Sequence, residues 1–218
     1  MAAYKHIMWD WNGTILDDLQ INFEIENTLL TNRGLPEMKS IEEYHRIFTF
    51  PIIRFYENMG FDLENERFED IARDYTYEYE KRFHEAEIFE DAESTVRQLN
   101  SLGINQIILS MTENKWLFSQ VSFHGIDHLF SDILGTGDIY AKSKVAIAKR
   151  WMAEKGADGK DVLFIGDTTH DYEVAQSIGC DCVLVARGHN PESSLRGTGA
   201  PVLENISQVI DFIKEKSF

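Results

Sequence analysis

Apolar and polar positions fall into two textures along this chain. In the first, a short apolar run is followed by a stretch with helical spacing, and the pair recurs. Residues 4–10 (YKHIMWD) read as a strand, 91–103 as a helix closed by Gly103, and 104–110 (INQIILS) as a second strand. The alternation continues with a helix over 113–125, a short strand over 131–137, and a helix over 143–156 stopped by Gly156. It ends with a strand over 161–167, a helix over 171–179, a strand over 180–186, and a last short strand and amphipathic helix within 201–216. Strands alternating with helices of this length predict a parallel sheet covered on both faces, an α/β fold.

The second texture fills residues 16–86 and holds no convincing strand. Leu19, Phe23, Leu29 and Leu30 recur at helical spacing before Gly34. Ser40 followed by Glu43 forms a capping-box pattern, and Pro51 suits the first turn of a helix. A long aromatic-rich helix follows, with Tyr75, Tyr77, Tyr79 and Phe83; few basic residues lie nearby, so these aromatics read as packing rather than as a base-stacking platform. Some 70 residues are too many for a plain connection, so an all-helical unit over 16–86 interrupts a core made of 1–15 and 87–218.

Composition narrows the function. At 43% hydrophobic and 27% charged over 218 residues the chain is an ordinary globular protein, with no apolar run near the ~18 residues of a membrane span. The opening MAAYKHIMWD is too short in its apolar part for a signal peptide. Cys180 and Cys182 would share one face of a strand with parallel Cβ vectors, which does not suit a disulfide; reduced thiols and a cytoplasmic location are expected. The net charge of −16 argues against nucleic acid and anionic membranes, and a small phosphorylated substrate would need a local positive site.

Ligands of a parallel α/β sheet bind at the carboxyl ends of its strands. Three of those ends are unusual: Asp10, Ser110, and the IGDTTHD segment with Asp167 and Asp171, while Lys142 and Lys144 precede a helix. Each alone has a plain reading as a cap, a turn or a surface charge. Together they gather carboxylates, a hydroxyl, a lysine and helix N-termini at one sheet edge. Hard oxygen ligands select Mg²⁺, and helix N-termini with lysine select a phosphoryl group.

On these residues the chain resembles the haloacid dehalogenase-like hydrolase superfamily, closest in layout to phosphoglycolate-phosphatase-like members with a helical cap. Asp10-Trp11-Asn12-Gly13-Thr14 matches the first motif, Asp-x-Asp-Gly-Thr, with one departure; Ser110, Lys144 (or Lys142) and Gly166-Asp167-Thr168-Thr169-His170-Asp171 match the other three, and Asp17 fits an acid that often follows the first. The resemblance implies a Rossmann-like three-layer core with the cap inserted after the first strand. It implies a Mg²⁺-dependent phosphatase acting on a small phosphorylated metabolite, as monomer or homodimer. Asp10 would be the nucleophile that forms an aspartyl phosphate. Mg²⁺ would be held by Asp10, Asp167 and the backbone carbonyl of Asn12, with Asp171 either a further ligand or orienting metal-bound waters. Ser110, Met111 and Lys144 would hold phosphoryl oxygens.

The departure is Asn12. The second acid of the first motif protonates the leaving oxygen and later activates water, and an amide does neither; losing a positioned acid/base typically costs ~10²–10⁴ in rate. Three readings stand: a phosphatase that is slow or uses another acid such as His170; a phosphonoacetaldehyde-type C–P hydrolase, which needs a cap lysine where Lys39, in a loop, is the only lysine between Lys5 and Lys81; or a module that binds a phospho-ligand or a protein without turnover. Deamidation at Asn12-Gly13 would restore the acid.

Overall fold

In the computed structural model, which describes residues 4–137 and 143–216, the apolar runs become strands β1 (His6–Trp9), β2 (Leu16–Asp17), β3 (Glu87–Ile88), β4 (Asn105–Glu113), β5 (Asp132–Thr136), β6 (Val162–Gly166), β7 (Asp181–Val185) and β8 (Val202–Leu203). Six of them form one parallel sheet in the order β5-β4-β1-β6-β7-β8. The first strand therefore lies at the centre, between β4 and β6, where the chain order switches direction. In register, Trp9 pairs with Ile108 on one side and Ile165 on the other. That register brings Asp10, Ser110 and Asp167 out at the same edge within a residue or so of one another.

Alternation along the strands feeds two cores. Ile7 and Trp9 of β1 belong to one, Met8 to the other. The first face is covered by α5 (Ala92–Ser101), α6 (Asn114–Phe123) and α10 (Val209–Lys216) through Leu99, Leu117 and Ile213. The second is covered by α7 (Lys144–Lys155), α8 (Thr169–Ile178) and α9 (Glu192–Arg196) through Ala148, Trp151, Val174 and Leu195. The result is the expected three-layer α/β arrangement. Cys180 and Cys182 are both buried and unbonded to each other.

Four helices, α1 (Leu19–Asn32), α2 (Ile41–Ile47), α3 (Ile52–Met59) and α4 (Phe68–Arg82), lie between β2 and β3. Those two strands pair antiparallel, Leu16 with Ile88 and Asp17 with Glu87, so the segment leaves and re-enters the sheet through a two-stranded ribbon. The ribbon lies in a stretch that reads as strandless in sequence: two residues carry no periodicity, and their partner is some 70 positions away. Ser40 caps α2 by accepting from Glu43 N–H, yet the Glu43 carboxylate takes the N–H of Lys39, so the capping box closes one residue early. The reciprocal box forms instead at Thr168 and Asp171, which starts α8 at Thr169, two residues before the expected position. Among the described residues no helix is long and apolar enough to cross a membrane.

Candidate active site

Asp10 follows the last residue of β1 and is buried. Its Oδ1 accepts from the Trp11 N–H at 2.7 Å and faces Lys144 Nζ at 2.7 Å. Lys144 opens α7 and sits equally close, 2.7 Å, to Asp171 Oδ1. The other oxygen of Asp171 accepts from the Thr168 N–H and hydroxyl. Asp167 accepts from Thr14 Oγ1 at 3.0 Å and from the His189 N–H at 2.6 Å. A Cβ at Gly13 or Gly188 would run into the Asp167 carboxylate, so both glycines are needed for this close approach. Gly13 also has φ +71°, in the left-handed region.

One oxygen from each of Asp10, Asp167 and Asp171 lies within 4.8 Å of the others. Such crowding shows in their acidity. Burial, then the Asp171 charge, pushes Asp10 well above the ordinary carboxylate range despite Lys144. Burial pushes Asp167 up to about 6. Burial also acts to raise Asp171, but Lys144 and the Thr168 bonds outweigh it and the net direction is down. Lys144 shows the converse: burial would strip its proton, and Asp10 with Asp171 hold it more firmly than usual.

Ser110 and Asn12 meet beside this cluster, and the Asn12 side chain is fixed at both ends. Its Nδ2 donates to Asp18 Oδ2 at 2.7 Å and contacts the Tyr79 hydroxyl at 3.0 Å. Its Oδ1 accepts from Thr112 Oγ1 at 2.9 Å and from Ser110 Oγ at 3.4 Å. Asp18 is fully buried and also accepts from Gly13 N–H, Asn22 Nδ2 and the Tyr79 hydroxyl. His189 Nε2 lies 3.4 Å from Asp18 Oδ1, and its Nδ1 bonds the Tyr44 hydroxyl. Burial would lower the His189 pKa, but the Asp18 bond and charge raise it to about 9; burial would raise Asp18, but His189 and the surrounding donors bring it down.

A cavity of about 210 Å³ opens over these groups. Asp10, Asn12, Ser110, Met111 and Lys144 line its floor, and Tyr44, Phe48, Phe55, Tyr56, Tyr75 and Tyr79 from the helical segment line its walls. The segment FTFPIIRF contributes Phe48, Phe50, Ile52 and Phe55, while its Arg54 is exposed and pairs with Glu57.

The structure rearranges several sequence expectations. Asp17 is exposed on β2, and the acid that meets the first motif is its neighbour Asp18, because the ribbon turns alternate residues to opposite sides. Lys142 lies outside the described residues. His170 stacks on Phe50 and faces Glu173 rather than lining the cavity. Lys39 is exposed beside Glu37, so the lysine required for the C–P hydrolase reading does not reach the site. Sequence reasoning missed Asp18, Thr112 and His189. For Asp18 a signal existed: Asp18, Asn22 and Glu26 recur every four positions as polar residues on an otherwise apolar helix face. For His189 the signal was its place just past a strand end, where ligands of such sheets bind.

Comparison with known proteins places this geometry. The sequence profile of the haloacid dehalogenase-like hydrolase family matches residues 7–185. A phosphoglycolate phosphatase of Aliivibrio fischeri is 20% identical, over 85% of this chain and 86% of its own length. One from Pasteurella multocida is 27% identical, over 87% and 89%. A haloacid dehalogenase-like family hydrolase from Streptococcus pneumoniae superposes with a TM-score of 0.84 at 17% identity, covering 97% of this chain and 99% of that one, and so shares the fold.

Proposed function

The chain belongs to the haloacid dehalogenase-like hydrolases and is a phosphatase-like enzyme of that family, and we propose that it hydrolyses a small phosphorylated metabolite with Mg²⁺, through an aspartyl phosphate on Asp10. The observation that carries this reading is the cluster of Asp10, Asp167 and Asp171 within 4.8 Å, with Lys144 the one ammonium against it among the described residues. Three carboxylates against one lysine leave a buried excess of negative charge, and all donors are hard oxygens. That donor set fits a divalent cation of the Mg²⁺ type. Asp10, Asp167 and the Asn12 carbonyl would hold it, with Asp171 beside them fixing Lys144. When bound, the cation neutralises phosphoryl charge and draws the substrate toward Asp10.

The protein's own groups divide the remaining work. A carboxylate oxygen of Asp10 attacks phosphorus, and the bond to the alcohol oxygen breaks. Lys144, Ser110 and the backbone at Met111 hold the equatorial oxygens as charge spreads over them. Water then attacks phosphorus in the aspartyl phosphate, freeing phosphate and Asp10. The helical segment over 16–86 acts as the cap, a separate unit whose aromatic wall keeps bulk water from the floor. Small substrates suit a cavity of about 210 Å³. Two buried free thiols support a reducing, cytoplasmic setting.

Asn12 leaves the alcohol oxygen without the usual proton donor. This favours a slow enzyme, or one for substrates with good leaving groups, and keeps a non-catalytic phospho-ligand module as the second reading. Release of phosphate from p-nitrophenyl phosphate and a broad panel of phosphate monoesters, with Mg²⁺, separates them. Wild type should exceed Asp10→Asn throughout; equal, background rates on the whole panel would sink the enzyme reading.

A further inference from the structure

The cavity has a second polar pole that the chemistry at Asp10 does not use. Asp18 at the start of α1, and Asn22 and Glu26 within it, lie four residues apart and are all buried. They form a polar stripe that runs from Asn12 away from the nucleophile. Asp18 and Asn22 are consumed in hydrogen bonds near Asn12, and the Tyr75 hydroxyl donates to Asn22. Glu26 is different. It lines the cavity and is 3% exposed; Oε1 accepts from the Tyr56 hydroxyl at 3.1 Å, while Oε2 is buried with no hydrogen-bond partner. Arg33, whose charge reaches Glu26 and eases it only in part, does not line the cavity and is engaged by Glu66 and Asp74. An unpaired buried carboxyl is expensive, and burial pushes Glu26 up to about 8.

What surrounds Glu26 indicates what would relieve it. Tyr44 and Tyr56, which are buried, and Tyr75, which is half-buried, lie near enough to feel its charge, and with Phe48 and Phe55 they line the same space. Among the described residues, Lys144 is the only lysine or arginine that lines the cavity, and it is committed to Asp10 and Asp171; Glu80 and Glu113 line it as well. The cavity's other cation, the His189 imidazolium, is engaged by Asp18 and the Tyr44 hydroxyl, so a carboxylate on the alcohol half of the substrate would find no uncommitted cation at this end. An ammonium would find a buried carboxyl that its charge would draw into the ionised form, with aromatic rings around it, surroundings that compensate its desolvation. Distance sets a further limit. Eight residues of α-helix separate Asp18 from Glu26, about 12 Å at 1.5 Å per residue.

We propose that the substrate is an elongated phosphate monoester whose far end carries an ammonium group, seated against Glu26 between the tyrosines, with the phosphoryl group on Asp10. The proposal rests on the phosphatase reading for its phosphoryl end and adds the recognition of the other end.

Three matched series test it: ω-aminoalkyl phosphates of two to six carbons, alkyl phosphates of equal length, and the corresponding ω-carboxyalkyl phosphates. Binding is measured by calorimetry on the full-length Asp10→Asn protein with Mg²⁺, and turnover by phosphate release from wild type. At a chain length beyond two carbons the amino ester should bind at least about tenfold tighter than either counterpart, the return of one desolvated charge pair. In Asp10→Asn/Glu26→Gln the ratio of amino to alkyl affinity should fall toward one. Glu26→Gln is a near-isosteric neutral change, and circular dichroism verifies its fold. Equal affinities, a preference for the carboxylate, or a preference that survives Glu26→Gln overturns the proposal. The two readings fail separately. Asp10-dependent turnover of alkyl phosphates with no amino preference removes this proposal and keeps the phosphatase. Glu26-dependent binding of amino esters without turnover does the reverse. Absence of binding by all three series removes this proposal.

Discussion

Replacing Asn12 by aspartate restores the acid carried by resembling phosphatases, and the structure attaches a condition to it. Nδ2 of Asn12 donates to Asp18 Oδ2 at 2.7 Å. Asn12→Asp turns that donor into a carboxylate oxygen aimed at a fully buried carboxylate. Two charges that ease apart to about 4 Å repel by roughly 4 kcal/mol at an effective dielectric constant of about 20. Sharing one proton avoids this repulsion at low pH, so the new carboxyl titrates above its ordinary range in the folded state. A raised folded pKa contributes fully below the unfolded value of about 4, loses that contribution as pH climbs through the raised value, and is flat beyond it. Urea denaturation in EDTA should therefore show Asn12→Asp closest to wild type near pH 4 and further destabilised, by about 4 kcal/mol, near pH 8. Asn12→Asp/Asp18→Asn removes the like-charge contact and should flatten that dependence. With the acid then freed from its rival, turnover of the double variant should exceed wild type by ~10²–10⁴. A stability difference between Asn12→Asp and wild type that is constant from pH 4 to 8 would refute the reasoning from the Asp18 contact.

Mg²⁺ at a hundred times its dissociation constant should stabilise the protein by about 2.7 kcal/mol, seen as a rise in Tm by calorimetry; Asp167→Asn should abolish most of the rise, and a metal-insensitive wild type counts against the proposed site. Lys144→Met leaves Asp10 and Asp171 buried without their cation. It should cost about 3–5 kcal/mol in urea denaturation without metal, and a loss below about 1 kcal/mol contradicts the assigned pairing. Burial holds Glu26 up to about 8 in the folded protein, so its contribution is present below the ordinary glutamate value and lost as pH rises through about 8. Glu26→Gln removes that loss and should stabilise the protein at pH 9 by up to about 5 kcal/mol; a variant no more stable than wild type there shows that Glu26 is relieved in some other way.

Much of this protein could be read from the chain alone because its signals are local. The core strands are mostly short apolar runs and the helices between them periodic ones, several closed by glycines such as Gly103, Gly156 and Gly179 that adopt the left-handed conformation. The strand-end rule then brought Asp10, Ser110, Lys144, Asp167 and Asp171 together from widely separated positions. The central place of β1 in the sheet, the two-residue ribbon at Leu16–Asp17, and the choice of Asp18 over Asp17 depended on pairings across 70 or more residues, which leave no period in the sequence. The same holds for the surroundings of Asn12. That Asn12 departs from the Asp-x-Asp-Gly-Thr pattern is visible in one letter, but its bonds to Asp18, Tyr79 and Thr112 join a loop, a helix start, a second helix and a strand. Likewise Glu26 is one more acid in a chain of charge −16 until folding buries it among tyrosines. Hydrophobic pattern specifies which faces are hidden; which polar groups are hidden with them, and against what, follows only once distant segments have packed.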